Sequence, residues 1–164
     1  MAGRGIHFAL TSLEFANILK ASSDAELMAI IAVMEATWDT ENLAESDKAW
    51  DAIHRCLTDG SLLYDSGTYP LNHVICGGRA LHKGDDYTVM LVTPAQVADV
   101  AAALAPANQV WLRERYFSLI NPNDYEFEHG DEDFAYTWEW FQGVRALYEK
   151  AAGAGRAVIF TVDA

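Results

Sequence analysis

Lysine and arginine are scarce in this chain. Its 164 residues include 11 basic and 24 acidic side chains, which gives a formal net charge of −13. Such a chain repels phosphate backbones, and no stripe of basic residues compensates, so we expect no nucleic-acid ligand. Anionic membrane surfaces are disfavoured for the same reason. A basic protein is the partner that this charge favours, although an acidic balance also serves solubility alone.

Cysteine and long apolar runs are also scarce. Cys56 and Cys76 are the only cysteines, and they lack a C-x-x-C spacing, so we expect reduced thiols. The longest apolar run, from Leu27 to Met34, is too short to span a bilayer. The first residues, M-A-G-R-G-I-H-F, contain no apolar segment of a secretion signal. These features predict a cytoplasmic protein.

Complete motifs of known chemistry are absent as well, and we expect no bound cofactor. Apolar residues make up 51% of the chain and charged residues 21%, which is typical of a globular protein. The length suits one domain, and no repeat or linker interrupts it. We therefore expect a single domain over residues 1–164.

The pattern of apolar residues predicts an α+β fold with more helix than strand. Alternating or β-branched stretches predict three main strands near residues 5–10, 87–92 and 157–162, which should pair in one small sheet. Cap signals and helical spacing predict that several helices cover this sheet. Their predicted starts are Thr11 or Ser12, Ser23, Ser46, Pro70, Thr93, Gln109 and the residues after Asp133.

Six stretches follow one another along the chain: G-I-H-F-A-L-T, S-D-K-A-W-D-A-I-H-R-C-L-T-D-G, Y-P-L-N, G-D-D-Y-T-V-M-L-V-T-P, Y-T-W-E-W-F and G-R-A-V-I-F-T-V. Taken in this order, they resemble the YfbM-like family of bacterial proteins. The resemblance covers nearly the whole chain, and D-K-A-W-D-A-I-H is its most specific block. It implies an α+β domain of unknown function in a bacterial cytosol, with no assigned catalytic residue. Some relatives are thought to lie beside toxin genes, which agrees with an immunity-type role.

One polar cluster stands on the helix predicted over residues 46–60. At about 100° per residue, Asp47, Asp51 and His54 fall on one stripe beside Thr58. In a metal-dependent or simple hydrolase, Asp51 or His54 would act as the general base. One helix supplies at most three ligands, however, and no second cluster completes a metal set, so we predict no metal site. A structural role for this stripe is therefore favoured.

The long helix predicted near the C-terminus places Arg145 among aromatic residues. Two partners for its guanidinium are open: the ring of Trp138 or Tyr148, or a carboxylate of the 46–60 helix. For the second case, the sequence predicts a polar network of Asp47, Asp51, His54 and Arg145 at the rim of a cleft. These four residues are the candidate catalytic residues.

The segment D-Y-E-F-E-H-G-D-E-D, residues 124–133, is predicted to be a loop. It concentrates six carboxylates with two aromatic side chains. The simpler interpretation is a solvated loop, and the functional one is an interface for a basic protein, in which aromatic anchors slow release. In that case the chain is a protein-binding module, such as an inhibitor or immunity-type protein. The candidate binding residues are Tyr125, Glu126, Phe127, Glu128, Asp131 and Asp133.

A third hypothesis concerns Cys76, which precedes Gly77-Gly78 and follows His73 by three residues. A thiol beside backbone N–H groups could act as a nucleophile. The sequence shows no base-and-orienter pattern around it, and a buried cysteine commonly serves as a small apolar residue. This hypothesis ranks below the others.

Overall fold

The computed structural model describes residues 3–163, which form five strands and six α-helices. In chain order the elements are β1 (Gly5–Ala9), α1 (Ser12–Lys20), α2 (Asp24–Thr37), β2 (Leu43–Asp47), α3 (Trp50–Leu57), β3 (Arg79–Ala80), β4 (Tyr87–Val92), α4 (Pro94–Leu104), α5 (Gln109–Leu119), α6 (Asp131–Ala154) and β5 (Val158–Asp163). Short 3-10 turns lie at Leu71–His73 and Pro122–Asp124. The α+β class predicted from the sequence is confirmed.

The strands form one antiparallel sheet in the order β2-β1-β5-β4-β3. The three predicted strands, β1, β5 and β4, are neighbours at its centre, as expected. The sheet is larger than predicted, because β2 and β3 extend it on both sides. The sequence of β2, L-A-E-S-D, contains three polar residues, and β3 has two exposed residues, so neither carries a strong strand pattern.

Alternate residues of the central strands enter two separate apolar clusters. Val89, Leu91 and Ile159 pack with residues of α1 and α2. Met90 and Phe160 pack with residues of α3, α4, α5 and α6 in a larger cluster. Because side chains of a strand alternate between its faces, the sheet lies between a thin layer of two helices and a thicker layer of four.

Several predicted helix starts are confirmed by their caps. Thr11 and Glu14 form a capping box at α1, and Thr93 and Gln96 form one at α4, whose first residue is Pro94. At α2, Ser23 accepts a hydrogen bond from the backbone of Glu26 as predicted. The Glu26 carboxylate accepts from the backbone N–H of Ser22 instead of that of Ser23.

The prediction that a helix begins at Ser46 is wrong. Ser46 and Asp47 end β2, and the chain then turns, with the N–H of Ala49 donating to the carbonyl of Ser46 over 2.8 Å. Asp47 has a φ of 46°, a left-handed conformation that an aspartate tolerates and that a helical residue does not adopt. The helix therefore starts only at Trp50.

The end of α3 depends on Gly60, which the sequence marks as a stop. The helix ends at Leu57, and the N–H of Gly60 returns to the carbonyl of Arg55 over 3.0 Å. Gly60 has a φ of 92°, and a Cβ atom there would lie 2.2 Å from the carbonyl oxygen of Leu119. Only glycine fits this position.

The acidic segment is a loop only as far as Gly130. Its last three residues, Asp131, Glu132 and Asp133, form the first turn of α6, where negative charge favours the helix dipole. The helix extends to Ala154 and ends at Gly155 in the left-handed conformation. Within residues 3–163, no helix is both long and apolar enough to cross a membrane.

Candidate functional site

The short helix α3 is a structural centre of the molecule, because all eight of its residues are buried. Its C-terminal carbonyl groups are bound by a side chain from α5. The guanidinium of Arg115 donates to the carbonyl of Cys56 and, over 3.0 Å, to that of Thr58. A cation at this end also suits the helix dipole. The simpler interpretation of the sequence, a structural helix, agrees with these contacts.

Within α3, Asp51 pairs with Arg55 one turn later. Arg55 Nε donates to Asp51 Oδ1 over 2.6 Å, and both side chains are almost fully buried. Arg55 Nη1 also donates to Asp124 Oδ2 over 3.2 Å and to the carbonyl of Gly60 over 3.3 Å. Arg55 is not among the residues predicted for the site, although its i,i+4 spacing from Asp51 is a recognised ion-pair signal.

Burial and neighbouring charges act in opposite directions on this pair. Burial raises the pKa of the Asp51 carboxyl, the Arg55 guanidinium opposes the rise, and the carboxylate of Glu126 adds to it. For Arg55, burial acts to lower the pKa, but the bonds to Asp51 and Asp124 outweigh burial and raise it. The guanidinium therefore stays protonated, and Asp51 ionises less readily than an ordinary aspartate.

Asp51 opens on its other side into a cleft of about 280 Å³, which we call the acidic cleft. Four carboxylates contribute to it, from α3, from the loop before β4, from the segment before α6 and from the end of β5. Its lining residues are Gly3, Trp50, Asp51, Leu62, Tyr64, Asp85, Thr88, Glu126, Val162 and Asp163. The lining residues include no lysine, arginine or histidine. Glu126, Asp85 and Asp163 are exposed at the rim, whereas Asp51 is only 3% exposed.

Aromatic side chains form part of the cleft wall. The indole N–H of Trp50 donates to the carbonyl of Gly3 over 2.9 Å, which fixes the ring against the start of the described chain. The hydroxyl of Tyr64 lies 3.3 Å from that of Thr88. Burial raises the pKa of Tyr64, so this phenol stays neutral. The cleft thus combines an apolar and aromatic wall with three rim carboxylates that pair with no cation among the lining residues.

The second oxygen of Asp51 has no protein donor among residues 3–163. Oδ1 takes the bond from Arg55, whereas Oδ2 accepts no hydrogen bond and is also not among the fully enclosed unpaired atoms. Asp51 lines the acidic cleft, and Oδ2 is its side-chain acceptor without a donor among residues 3–163. A carboxylate oxygen in this position favours a cationic or hydrogen-donating group.

The predicted network of Asp47, Asp51, His54 and Arg145 does not form. Asp47, at the end of β2, accepts a hydrogen bond from the hydroxyl of Tyr136 and lies 3.4 Å from Arg4 Nε. His54 is 1% exposed, and its Nε2 donates to the carbonyl of Leu63 over 2.8 Å. The prediction placed Asp47 on the helix, but Asp47 is the last residue of β2 and α3 begins only at Trp50, so Asp47 is not on the helical stripe.

Arg145 lies elsewhere, at the C-terminus of α4. Its guanidinium donates to the carbonyl of Ala105 over 3.1 Å and lies 5.9 Å from the ring centre of Trp138. The stacking on Trp138, one of the two predicted alternatives, is confirmed. The α4 end provides carbonyl groups without helical partners, which explains why Arg145 is directed there rather than toward α3.

His54 has a buried imidazole, and its second nitrogen, Nδ1, has no hydrogen-bond partner among the described residues. Burial lowers the pKa of His54, and the nearby carboxylates of Asp51 and Asp59 do not fully oppose this. His54 is not part of the lining of the acidic cleft. A general base needs contact with the substrate proton, and this imidazole has no such opening.

The acidic segment also differs from the sequence prediction. Tyr125 is 8% exposed, and its hydroxyl donates to Asp133 Oδ2 over 2.7 Å. Phe127 is half-buried against the larger apolar cluster, and Asp131 pairs with Arg113. The predicted aromatic anchors therefore pack against the protein itself. Asp133 accepts hydrogen bonds from within the molecule, whereas Asp131 forms an exposed ion pair with Arg113.

Glu126 and Glu128 are the exposed carboxylates of the predicted binding residues that remain free of such contacts. Neither one takes a hydrogen bond or ion pair from residues 3–163, and both are exposed. Glu126 also lines the acidic cleft. The structure thus brings one predicted binding residue, Glu126, next to one predicted catalytic residue, Asp51.

Two further hypotheses find no arrangement that supports them. Among residues 3–163, no group of three or more histidine, cysteine, aspartate or glutamate side chains is placed to hold a metal ion. Cys76 is fully buried, and burial raises the pKa of its thiol, so a nucleophilic thiolate is disfavoured. His73 directs its Nδ1 to the side chain of Asn72, 2.7 Å away.

Comparison with known proteins confirms the resemblance read from the sequence. A family model described as a domain of unknown function, DUF1877, matches residues 1–161. The crystal structure of YfbM, a protein of unknown function from Escherichia coli, is similar with a TM-score of 0.65, and the match covers 99% of each chain. At 20% identity this similarity shows the fold alone. No curated protein matches the chain. The chain therefore belongs to the DUF1877 family, a YfbM-like domain of unknown function.

Proposed function

We propose that this protein is a binding module for a basic protein, and that the acidic cleft is its recognition site. The observation that carries the proposal is the cleft itself. It brings together four carboxylates and two aromatic side chains, and no cationic residue is part of its lining. Opposite charge on a partner would relieve the repulsion among these carboxylates when the cleft is covered.

The net charge of −13 supports the same proposal at longer range. A strongly acidic protein attracts a basic partner before contact, which raises the association rate and makes it depend on salt. Trp50 and Tyr64 then supply aromatic surface, the type of contact that slows dissociation. An inhibitor or immunity-type protein acts by this physics and needs no chemistry of its own.

The binding surface differs from the one that the sequence suggested. Tyr125 and Asp133 belong to the internal structure of the protein, so changing them would test folding rather than binding. The charge of Asp131 is paired with Arg113 at the surface, so it is less available to a partner than the charge of Glu126. Glu126 keeps its predicted role, and Asp85 joins it at the rim.

We place this binding function in the bacterial cytoplasm. Cys56 and Cys76 support this location, because both are buried free thiols and a reducing compartment preserves them. The similarity in fold to a protein from Escherichia coli is consistent with a bacterial setting.

The test is capture of a partner from native cell extract by the wild-type protein and two charge-matched double variants. Asp85→Asn with Glu126→Gln removes two charges from the rim of the acidic cleft. Glu114→Gln with Glu149→Gln removes two exposed charges from α5 and α6, outside the cleft. We expect the first variant to lose a basic partner that the second retains, and binding to weaken steeply with salt.

Two outcomes would overturn the proposal. One is a partner that both variants retain equally, since the cleft would then have no part in recognition. The other is a partner that is itself acidic, or one held unchanged at high salt, because complementary charge could not be the basis of such a complex.

A further inference from the structure

The acidic cleft has a graded structure, from an exposed acidic rim to one buried carboxylate. Asp85, Glu126 and Asp163 are exposed, and Leu62 and Tyr64 line the wall. At the buried end lies Asp51, with one oxygen bound to Arg55 and the other without a donor among residues 3–163. An elongated ligand with a cationic tip would match this order of contacts.

We propose that the acidic cleft binds the side chain of a lysine residue of the partner, with its ammonium group on Asp51 Oδ2. This inference rests on the proposed function and makes it specific. The four-carbon stem of lysine packs along apolar and aromatic wall residues while its charged tip reaches a polar group. Leu62, Trp50 and Val162 supply that wall.

The arrangement favours lysine over arginine because only one oxygen of Asp51 is available. Guanidinium groups bind carboxylates best through two parallel hydrogen bonds, which need both oxygens. Arg55 Nε already occupies Oδ1 at 2.6 Å. An ammonium group is a compact point charge with three donors in different directions, so it needs only one oxygen at a time.

Arg55 also sets the strength of this site. Its guanidinium is held in place by Asp51, Asp124 and the carbonyl of Gly60, so it stays behind the carboxylate and does not enter the cleft. It offsets part of the charge of Asp51, and the rim carboxylates restore a negative field at the entrance. We therefore expect the cleft to distinguish cations by their shape, and to bind each of them with only moderate affinity.

The test uses small probes on the unmodified protein. The probes are the Nα-acetyl methylamides of lysine, arginine and norleucine, which present ammonium, guanidinium and a neutral stem of similar length. Binding is followed by the NMR signal of the Trp50 indole N–H, which lies in the cleft wall and is assigned with a Trp50→Phe variant. We expect a saturable shift with the lysine probe, at least about tenfold weaker binding of arginine, and none of norleucine.

The result separates this inference from the broader proposal. If the arginine probe binds as tightly as lysine, the lysine site is refuted, while recognition of a basic partner by the cleft stands. If neither cationic probe shifts Trp50, the lysine site is refuted, and capture of a partner by the rim carboxylates then decides the broader proposal alone. Norleucine binding equal to lysine would refute both, because charge would contribute nothing.

A free diamine carries the same ammonium chemistry as a protein lysine, so 1,5-diaminopentane is a further probe. Equal or weaker binding than the lysine probe supports a lysine side chain as the ligand. Binding that is tenfold or more tighter shows that a small amine is the ligand, and it overturns the proposal of a protein lysine.

Variants of the cleft residues test whether the ammonium group binds to Asp51. Asp51→Asn keeps an oxygen for Arg55 and removes the charge, and we expect the lysine probe to bind at least about tenfold more weakly to it. If this variant does not fold, Tyr64→Ala is the replacement, since Tyr64 is partly exposed and lies on the cleft wall. Unchanged affinity in a folded Asp51→Asn or Tyr64→Ala protein would contradict the site.

Discussion

Two groups of carboxylates in this molecule have opposite environments. At the start of α6, Asp133 Oδ2 accepts hydrogen bonds from the hydroxyls of Tyr116 and Tyr125, over 2.6 and 2.7 Å, and Asp131 pairs with Arg113. In the acidic cleft, the rim carboxylates take no hydrogen bond or ion pair from any side chain of residues 3–163. The carboxylates of the first group have partners within the protein, Asp133 in part-buried hydrogen bonds and Asp131 in an exposed ion pair, and those of the second group are left open.

The difference shows that local density of acidic residues is a poor guide to available negative charge. Residues 124–133 contain six carboxylates in ten positions, yet several of them serve the start of α6 and its surroundings. The cleft collects one acid from each of four distant parts of the chain, and only Glu126 comes from the acidic segment. Charge that remains for a partner is therefore determined by which donors the fold supplies, not by the sequence composition of a segment.

The largest loss in the free energy of unfolding should come from Asp51→Ala. Asp51 lines the acidic cleft but, like Asp133, has a partner within the protein, so we expect it to contribute to folding. This change leaves the buried guanidinium of Arg55 without its main partner, although Asp124 and Gly60 still accept from it. Loss of one member of a buried pair commonly costs about 3–5 kcal/mol. We expect the free energy of unfolding in urea to fall by about 3 kcal/mol. Asp85→Ala, at the rim, is the control and should change it by less than about 0.5 kcal/mol.

If Asp51→Ala proved as stable as the wild type, the pair with Arg55 would not contribute to the fold. Asp51 would then resemble the rim carboxylates, and the graded structure of the cleft would have no energetic basis. Circular dichroism of the variant at low denaturant distinguishes a destabilised native fold from a rearranged one.

Asp133→Ala should have the next largest effect. The buried hydroxyls of Tyr116 and Tyr125 lose their shared acceptor, and an unsatisfied buried polar group costs about 1–3 kcal/mol. We expect the free energy of unfolding to fall by about 2 kcal/mol. The matched control is Glu132→Ala, which removes an exposed acid from the same turn and should cost less than about 1 kcal/mol through the helix dipole. Equal losses in both variants would show that the dipole, not the tyrosine contacts, explains the role of Asp133.

The titration of Asp51 gives a smaller, pH-dependent effect. Since burial raises the pKa of this carboxyl in the folded protein, the folded state keeps a proton that the unfolded chain has already released. Its contribution to stability is therefore full below the unfolded pKa and is lost as the pH rises through the folded pKa. One group contributes at most about 1.4 kcal/mol per pH unit.

The measurement is the difference in unfolding free energy between wild type and Asp51→Asn across this range of pH. We expect the wild type to lose stability relative to the variant as the pH rises above about 4, the ordinary pKa of an aspartate. Subtraction removes the titration of groups that do not interact with Asp51. A difference that is independent of pH, or one that grows in the other direction, would contradict the raised pKa.

The central sheet and the helix caps could be predicted from the sequence because their signals are local. Alternation in β1, β4 and β5 reports two buried faces, and Thr11 and Thr93 carry complete capping boxes. The strand β2 was missed because its S-D pair is equally typical of a helix cap. These residues form a strand rather than a helix start because they pair with β1, a contact between residues distant in sequence that no local pattern reports.

The site was only partly predictable for the same reason. Asp51 and Glu126 were both selected, but for different functions, because nothing in the sequence shows that they meet. Arg55 was available from its spacing to Asp51, whereas the role of Asp133 depends on Tyr116 in another helix. Asp85 and Asp163 carry no motif and gain their place only from the fold.

The smallest expected change in the free energy of unfolding is also the sharpest test of the contrast between the two groups of carboxylates. Its sign should be opposite, because the variant should be as stable as the wild type or slightly more stable. In the double variant Asp85→Asn with Glu126→Gln, the rim loses two like charges that form no ion pair with any cation of residues 3–163. Relief of repulsion among exposed groups should leave the free energy of unfolding unchanged or raise it by up to about 0.5 kcal/mol at low salt. The gain should disappear at high salt because the Debye length is then short. Asp131→Asn with Asp133→Asn removes the same charge from α6 and should destabilise the protein at both salt concentrations, since the contacts that Asp133 makes with Tyr116 and Tyr125 are hydrogen bonds that salt screens little. If the rim variant were destabilised as well, the carboxylates of the cleft would be structural, and the contrast on which the proposed binding site depends would be wrong.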